Sequence, residues 1–381
     1  MVKSLFSLLS LAALSSAFAA PSNAADDDTY RHLLLAGGGL TACSSFASDN
    51  CDDVDWIDKE TMRTDRYLNL SKKFRSRATA ESVWPSYREE TRKKVADALE
   101  LIHERLKEDI VPERVFLREF TRRATQQLYN SLSDAEWNRI IDLIELPVPD
   151  SAREVVNLDE NLKGESKAIF QRFVEMARSV AGDERKPKVY FLTSASRNPY
   201  DKIDFYNSVF EQLGAEVHWL PLDSAVVKAQ REGRCDELAK IQQKQLGAYE
   251  RDRVHKDRYQ EQVAFCKDSD AAAEMLADAD GLFFNDGDQN LTRSTFIKAN
   301  NEPGDVLKTI IAAVQQKEVV IGGTGAGTAV MTSKPMISNG TTAQAIKEGA
   351  IASDPPPFGC NLDTTCPPNV GPDSLTYHPL G

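Results

Sequence analysis

The chain has 381 residues, 41 % hydrophobic and 27 % charged, with a net charge of −12. That balance excludes a disordered or fibrous chain, allows one elaborated domain or two ordinary ones, and argues against a nucleic-acid-binding surface. Beyond the first twenty residues, no apolar stretch approaches the length of a membrane span.

The opening MVKSLFSLLSLAALSSAFAA has Lys3, an apolar run from Leu5 to Leu14 and small residues at Ala17 and Ala19. This is the layout of a secretory signal peptide over 1–20, with cleavage after Ala19 or Ala20, or after Ala24. It predicts a secreted protein, extracellular or periplasmic. An oxidising compartment favours disulfides, and the order of the six cysteines pairs Cys43 with Cys51, Cys235 with Cys266 and Cys360 with Cys366, although six cysteines allow fifteen connectivities. With no CxxC spacing and five scattered histidines, no metal site and no cofactor are expected. Asn69, Asn290 and Asn339 head Asn-x-Ser/Thr triplets, which matter only in a glycosylating pathway.

Residues 30–51 carry the first strand of an α/β domain, HLLLAGGGL, an unbroken apolar run that suits a strand buried on both faces of a parallel sheet. Its glycines, Gly37, Gly38 and Gly39, lack the further spaced glycine of a dinucleotide fingerprint. Residues 52–185 read as a charged helical insertion. Val95, Leu99, Ile102 and Leu106 recur at helical spacing, Ser133 and Glu136 form a capping box ahead of Trp137, Ile140, Ile141 and Ile144, and Phe170, Val174 and Ala177 mark a further helix. The charge runs there read as a solvated face.

The α/β pattern resumes over 186–350. Lys188 to Ser196 is a strand ending in LTSAS, Asp204 to Leu213 a helix closed by Gly214, and Ala215 to Leu222 the next strand. A helical segment holding Cys235 and Cys266 leads to the strand Gly281 to Phe284, which runs into NDGDQ; a helix from Asp305 to Gln316 precedes the strand EVVIGG. Residues 351–381 form a segment rich in proline and cysteine. The fold class is therefore α/β, a mostly parallel sheet flanked by helices on both faces. Ligands on such sheets gather at the carboxyl ends of strands, where LTSAS, NDGDQ and GGTGAG lie.

The stretch VVIGGTGAGTAVM, Val319 to Met331, reads as strand, sharp turn and helix. A phosphate-binding loop needs lysine after its last glycine, but Thr328 follows Gly327 and the nearest lysine is Lys334. A nucleophile elbow fits the small residues, with backbone N–H groups to stabilise an oxyanion. Its central position is Gly325, which offers no side chain to attack a carbonyl.

Gly322 to Ile337, with Leu282 to Phe296, resembles the cyanophycinase family of serine peptidases, a group that includes aspartyl dipeptidases and shares the fold of class I glutamine amidotransferases, which is flavodoxin-like. The chain keeps Gly322, Gly323, Thr324, Ala326, Gly327, Ala329, Met331, Met336 and Ile337 of the family's GGTSAG turn and the helix and strand after it. Of a second element, a strand running into two glycines and then a glutamine two positions on, it keeps Gly287, Asp288 and Gln289. Gly325 stands at the family serine. The resemblance implies that Gln289 and Asp288 lie beside the substrate, that the N–H groups of Gly323 and Ala326 contact an oxyanion, and that Asp- or Arg-containing peptides or polymers are the partners. It also implies a base on a later strand with a His followed by arginines. No such pattern occurs before Gly381, and His378 is the one histidine after the elbow. The flanking hydroxyls Thr324 and Thr328 are expected to point along the core and helix, and Ser333 comes after them. The leading expectation is a secreted pseudoenzyme on a serine-peptidase scaffold. The alternatives are an active exopeptidase for β-Asp-Arg or Asp-X peptides whose sequence continues beyond Gly381, and a non-enzymatic peptide- or protein-binding module.

Overall fold

The computed structural model describes residues 33–149, 151–298 and 302–331, together with the backbone of three short strands beyond them. In chain order the strands are β1 (Leu33–Ala36), β2 (Tyr67–Asn69), β3 (Ile110–Pro112), β4 (Lys188–Leu192), β5 (Glu216–Leu220), β6 (Gly281–Phe284), β7 (Val320–Thr324), β8 (Met336–Ser338), β9 (Ile351–Ala352) and β10 (Thr376–His378). One five-stranded sheet has the order β1-β7-β6-β4-β5, and each neighbouring pair in it is parallel. Parallel neighbours need crossovers. Helices supply them: Ile203–Gln212 between β4 and β5, a run from Ser224–Glu232 to Ala271–Ala277 between β5 and β6, and Asp305–Gln315 between β6 and β7.

Alternate strand residues face opposite sides of the sheet. On one side Phe283 meets Phe170, Phe173, Tyr206 and Phe210, from the helices Gly164–Ala181 and Ile203–Gln212, with ring centroids 5.1–5.8 Å apart. On the other, Tyr190, Leu192, Leu220, Leu282 and Phe284 pack with Val226, Leu238, Ile241, Phe265, Phe296 and Ile310. The sheet is thus covered by helices on both faces, as the pattern of apolar runs predicts. Phe173 reaches it because two strand positions lack a side chain. A Cβ on Gly281 would lie 3.1 Å from Phe173 Cζ, and one on Gly322 would lie 2.7 Å from Phe173 Cδ2.

Two expectations change. β1 is not covered on both faces: among the described residues it lies at the edge of the sheet beside β7, and Leu33 and Leu35 are 43 % and 51 % exposed. An apolar run reports low polarity and carries no information about how many neighbours a strand has. The charged stretch 52–185 also does more than solvate a face. Its residues 68–144 enclose a separate apolar cluster that includes Leu68, Leu99, Ile102, Phe116, Phe120 and Ile144. Ser133 and Glu136 close the capping box, each accepting the other's backbone N–H, at 3.2 and 3.1 Å. Asp142 and Glu145 are buried and face cations from elsewhere in the chain: Arg197 grips Asp142 with two bonds of 2.6 and 3.0 Å, and Arg251 Nη1 lies 2.7 Å from Glu145 Oε2. The helix Gly164–Ala181, within the same stretch, lies on the main sheet.

Cys43 is bonded to Cys51 and Cys235 to Cys266, two of the expected pairs. Cys360 and Cys366, residues 1–20 expected to form a signal peptide, Ser333 and Asn339 lie outside the described residues. Among the described residues no helix is long and apolar enough to cross a membrane.

The wedge at Phe173 gives a direct test. Gly322→Ala forces the ring against Phe210 and Phe283, and we expect a loss of about 1–3 kcal/mol of stability, the range for overpacked cores. Urea unfolding should show a lower midpoint at unchanged slope; an unchanged midpoint would mean the ring has room to move.

Candidate functional site

The segments LTSAS, NDGDQ and GGTGAG come together at the carboxyl ends of β4, β6 and β7, and the GGG turn joins them from β1. The side chain of Asn285 is buried and braces two of them: its Oδ1 accepts the Ala195 N–H at 3.1 Å, while its Nδ2 donates to Ser196 Oγ at 2.8 Å. The Asp288 N–H donates to the Ala195 carbonyl at 2.8 Å. Hydroxyls make the other braces. Thr324 donates to the Gly37 carbonyl at 3.0 Å, and Thr328 donates to the carbonyls of Ala36 and Gly323. Both threonines are thereby committed to backbone acceptors, as their flanking positions lead one to expect, and neither is presented as a replacement nucleophile.

Between β7 and the short helix Ala326–Ala329 the chain turns at a single residue, Gly325, with φ 52° and ψ −114°. A positive φ of this kind is costly for a residue with a side chain and costs glycine little. The turn is closed by the Ala329 N–H donating to the Gly325 carbonyl at 2.9 Å, and is tied to the residue after β6 by the Gly327 N–H donating to the Asn285 carbonyl at 3.1 Å.

The space over Gly325 is filled. Asp286, the second residue after β6, puts its carboxylate there: a Cβ built on Gly325 would lie 1.8 Å from Asp286 Oδ1 and 2.1 Å from its Cγ. The same Oδ1 accepts the Ala326 N–H at 2.9 Å and the Gly287 N–H at 2.8 Å. Of the two N–H groups named as oxyanion donors, that of Ala326 is therefore already engaged by an anion. Gly323 is a ladder residue of β7, between Leu35 of β1 and Phe284 of β6, so its backbone belongs to the sheet rather than to the turn.

Asp288 caps the helix Gln289–Phe296, accepting the Asn290 N–H at 2.8 Å, and Gln289 opens that helix half-buried. His378 is the last residue of β10 and pairs in register with Met336 of β8. Among the described residues no group of three or more His, Cys, Asp or Glu side chains is arranged to hold a metal ion. Asp286 is the residue that sequence reasoning passes over. Its signal lies in the resemblance alone, under which it would stand at the first of the two glycine positions in the element that otherwise keeps Gly287, Asp288 and Gln289. No protein-family model matches the chain.

Immediately after LTSAS, the loop that leaves β4 is anchored from behind. Arg197 holds Asp142, and Asp201 faces Arg66 at 3.2 Å. Burial alone would raise the Asp201 carboxyl; the guanidinium groups of Arg66, Arg63 and Arg251 outweigh it and hold the group well below the usual carboxylate range. His255 is buried, its Nε2 3.5 Å from Asn198 Nδ2 and 3.9 Å from Asp201 Oδ1. Burial, aided by Arg251, Arg63 and Arg66, keeps the imidazole well below its ordinary value despite Asp201.

A histidine neutral when folded and protonated when unfolded gives the unfolded chain the extra proton on acidification, so stability falls as pH drops below the unfolded value of about 6.5. Compared with His255→Gln, the wild type should lose stability at a slope that steepens through that window toward about 1.4 kcal/mol per pH unit. Paired urea titrations at pH 7, 6 and 5 check this; parallel curves for the two proteins would contradict it.

Proposed function

We propose that this chain is an exported, cyanophycinase-like protein on a class I glutamine amidotransferase-like scaffold, in which the elbow persists as architecture and peptide hydrolysis is lost or strongly impaired. Its partners are Asp- or Arg-containing peptides, held at the strand ends without cleavage. The observation that carries this reading is the conformation of Gly325. The backbone makes the strand-to-helix turn that aims a nucleophile over a row of N–H groups, yet the residue at its apex has no hydroxyl. Covalent catalysis by serine also needs a base within hydrogen-bond reach of the hydroxyl. Of the histidines whose side chains are described, His103 lies against Asp109, His218 against Glu216 and His255 in the buried ionic cluster, while His378 is placed by its backbone at the end of β10.

Loss of the nucleophile from a serine-peptidase triad costs about 10⁶-fold in turnover. Purified protein incubated with β-Asp-Arg polymer and with Asp-X dipeptides should therefore release no product above the uncatalysed blank, while isothermal titration with the same peptides reports binding. Turnover that is abolished by a hydroxyl-directed fluorophosphonate would overturn the proposal, because it would require a working nucleophile elsewhere.

A further inference from the structure

We infer that Asp286 and Gly325 act as one unit, in which the carboxylate of Asp286 is an internal plug that closes the elbow. This deepens the reading of the turn as a nucleophile elbow and rests on it.

Sterically, both carboxylate oxygens and Cγ of Asp286 lie within 2.5 Å of the point where any side chain at 325 would have to begin. That distance is far inside van der Waals contact, so a side chain at 325 and the observed position of Asp286 exclude each other. The electrostatics point the same way. In an elbow, the N–H of the residue after the apex is a donor for the oxyanion. Here that donor is Ala326 N–H, and Asp286 Oδ1 already occupies it at 2.9 Å. A negative oxygen built into the chain thus sits where an oxyanion would be stabilised.

The plug is also free to move. Asp286 is exposed, and its carboxylate accepts from two backbone N–H groups, those of Ala326 and Gly287. Rotating the carboxylate into water exchanges these bonds for hydration. It can therefore leave without unfolding the turn, which makes the site closed at rest and openable. Serine at 325 alone does not recreate an open elbow, because it must first evict Asp286.

The test is a two-by-two cycle on the full chain with its disulfides intact: wild type, Gly325→Ser, Asp286→Gly, and the double variant. Each folding equilibrium is read by chemical denaturation. Gly325→Ser alone should shift the equilibrium toward the unfolded state by about 100-fold, from the strained φ together with loss of the charge-assisted bonds. In the Asp286→Gly background the same change should cost about 10-fold, leaving only the strain. Additive effects, agreeing within about two-fold, would overturn the plug. Should Gly325→Ser not fold, hydrogen exchange at the Ala326 amide decides between the outcomes. Removing the plug in Asp286→Gly should speed that exchange about ten-fold or more, as expected for loss of its acceptor; an unchanged rate would overturn the inference. Neither readout uses peptide hydrolysis. Turnover by the wild type would remove the reading that hydrolysis is lost and leave the coupling standing, whereas additivity would remove the plug and leave that reading intact.

Discussion

Phe173 lies in a notch made by two absent side chains, and the position of the site depends on that contact. The ring reaches the sheet at Gly281 of β6 and Gly322 of β7, next to Phe283, and so fixes the spacing between one helix and the two central strands. Those are the strands that deliver Asp286 and Gly325. Interiors this densely packed transmit small displacements instead of absorbing them. The separation of β6 and β7, and hence the meeting of the carboxylate with the bare turn, is set three to five residues upstream by aromatic packing.

Much of the scaffold is legible in the sequence because buried parallel strands are written as unbroken apolar runs. Gly281 to Phe284 matches β6 residue for residue, and the helix read from Asp305 to Gln316 ends one residue earlier. The meeting of LTSAS, NDGDQ and GGTGAG comes from a general rule about strand ends and needs no coordinates. The features that stay hidden share a cause: they depend on partners remote in sequence. Gly322 reads as part of a turn motif, but its missing Cβ serves a phenylalanine about 150 residues earlier. Gly323 reads as a turn donor and is a ladder residue. Asp286 reads as one more acidic residue in a polar loop, and only its distance to Gly325 gives it a role.

The insertion shows the same limit for charge. Its runs of Glu, Lys and Arg look alike in sequence, yet they divide into two populations. Lys93 with Glu89 and Lys94 with Glu90 are exposed helix pairs, of a kind worth little to stability. Asp142 and Glu145 are buried, and each is matched by Arg251, itself buried, from beyond the insertion, with Arg197 adding to Asp142. Buried ions of this sort contribute less to net stability than to specifying one arrangement, because an unmatched charge inside is far more costly than an unmatched charge outside. Here the arrangement they specify docks the helical insertion against the loop that leaves β4.

The position of β1 has a consequence for how the protein behaves in company. A sheet margin offers backbone donors and acceptors that a strand from another molecule can satisfy, and this margin carries two outward leucines that would favour such an addition. At its carboxyl end the safeguard is the run Gly37 to Gly39, where the described ladder stops at Ala36 and the glycines break the register of an incoming strand. Extending the ladder through those glycines would turn a tolerated margin into a template for self-association.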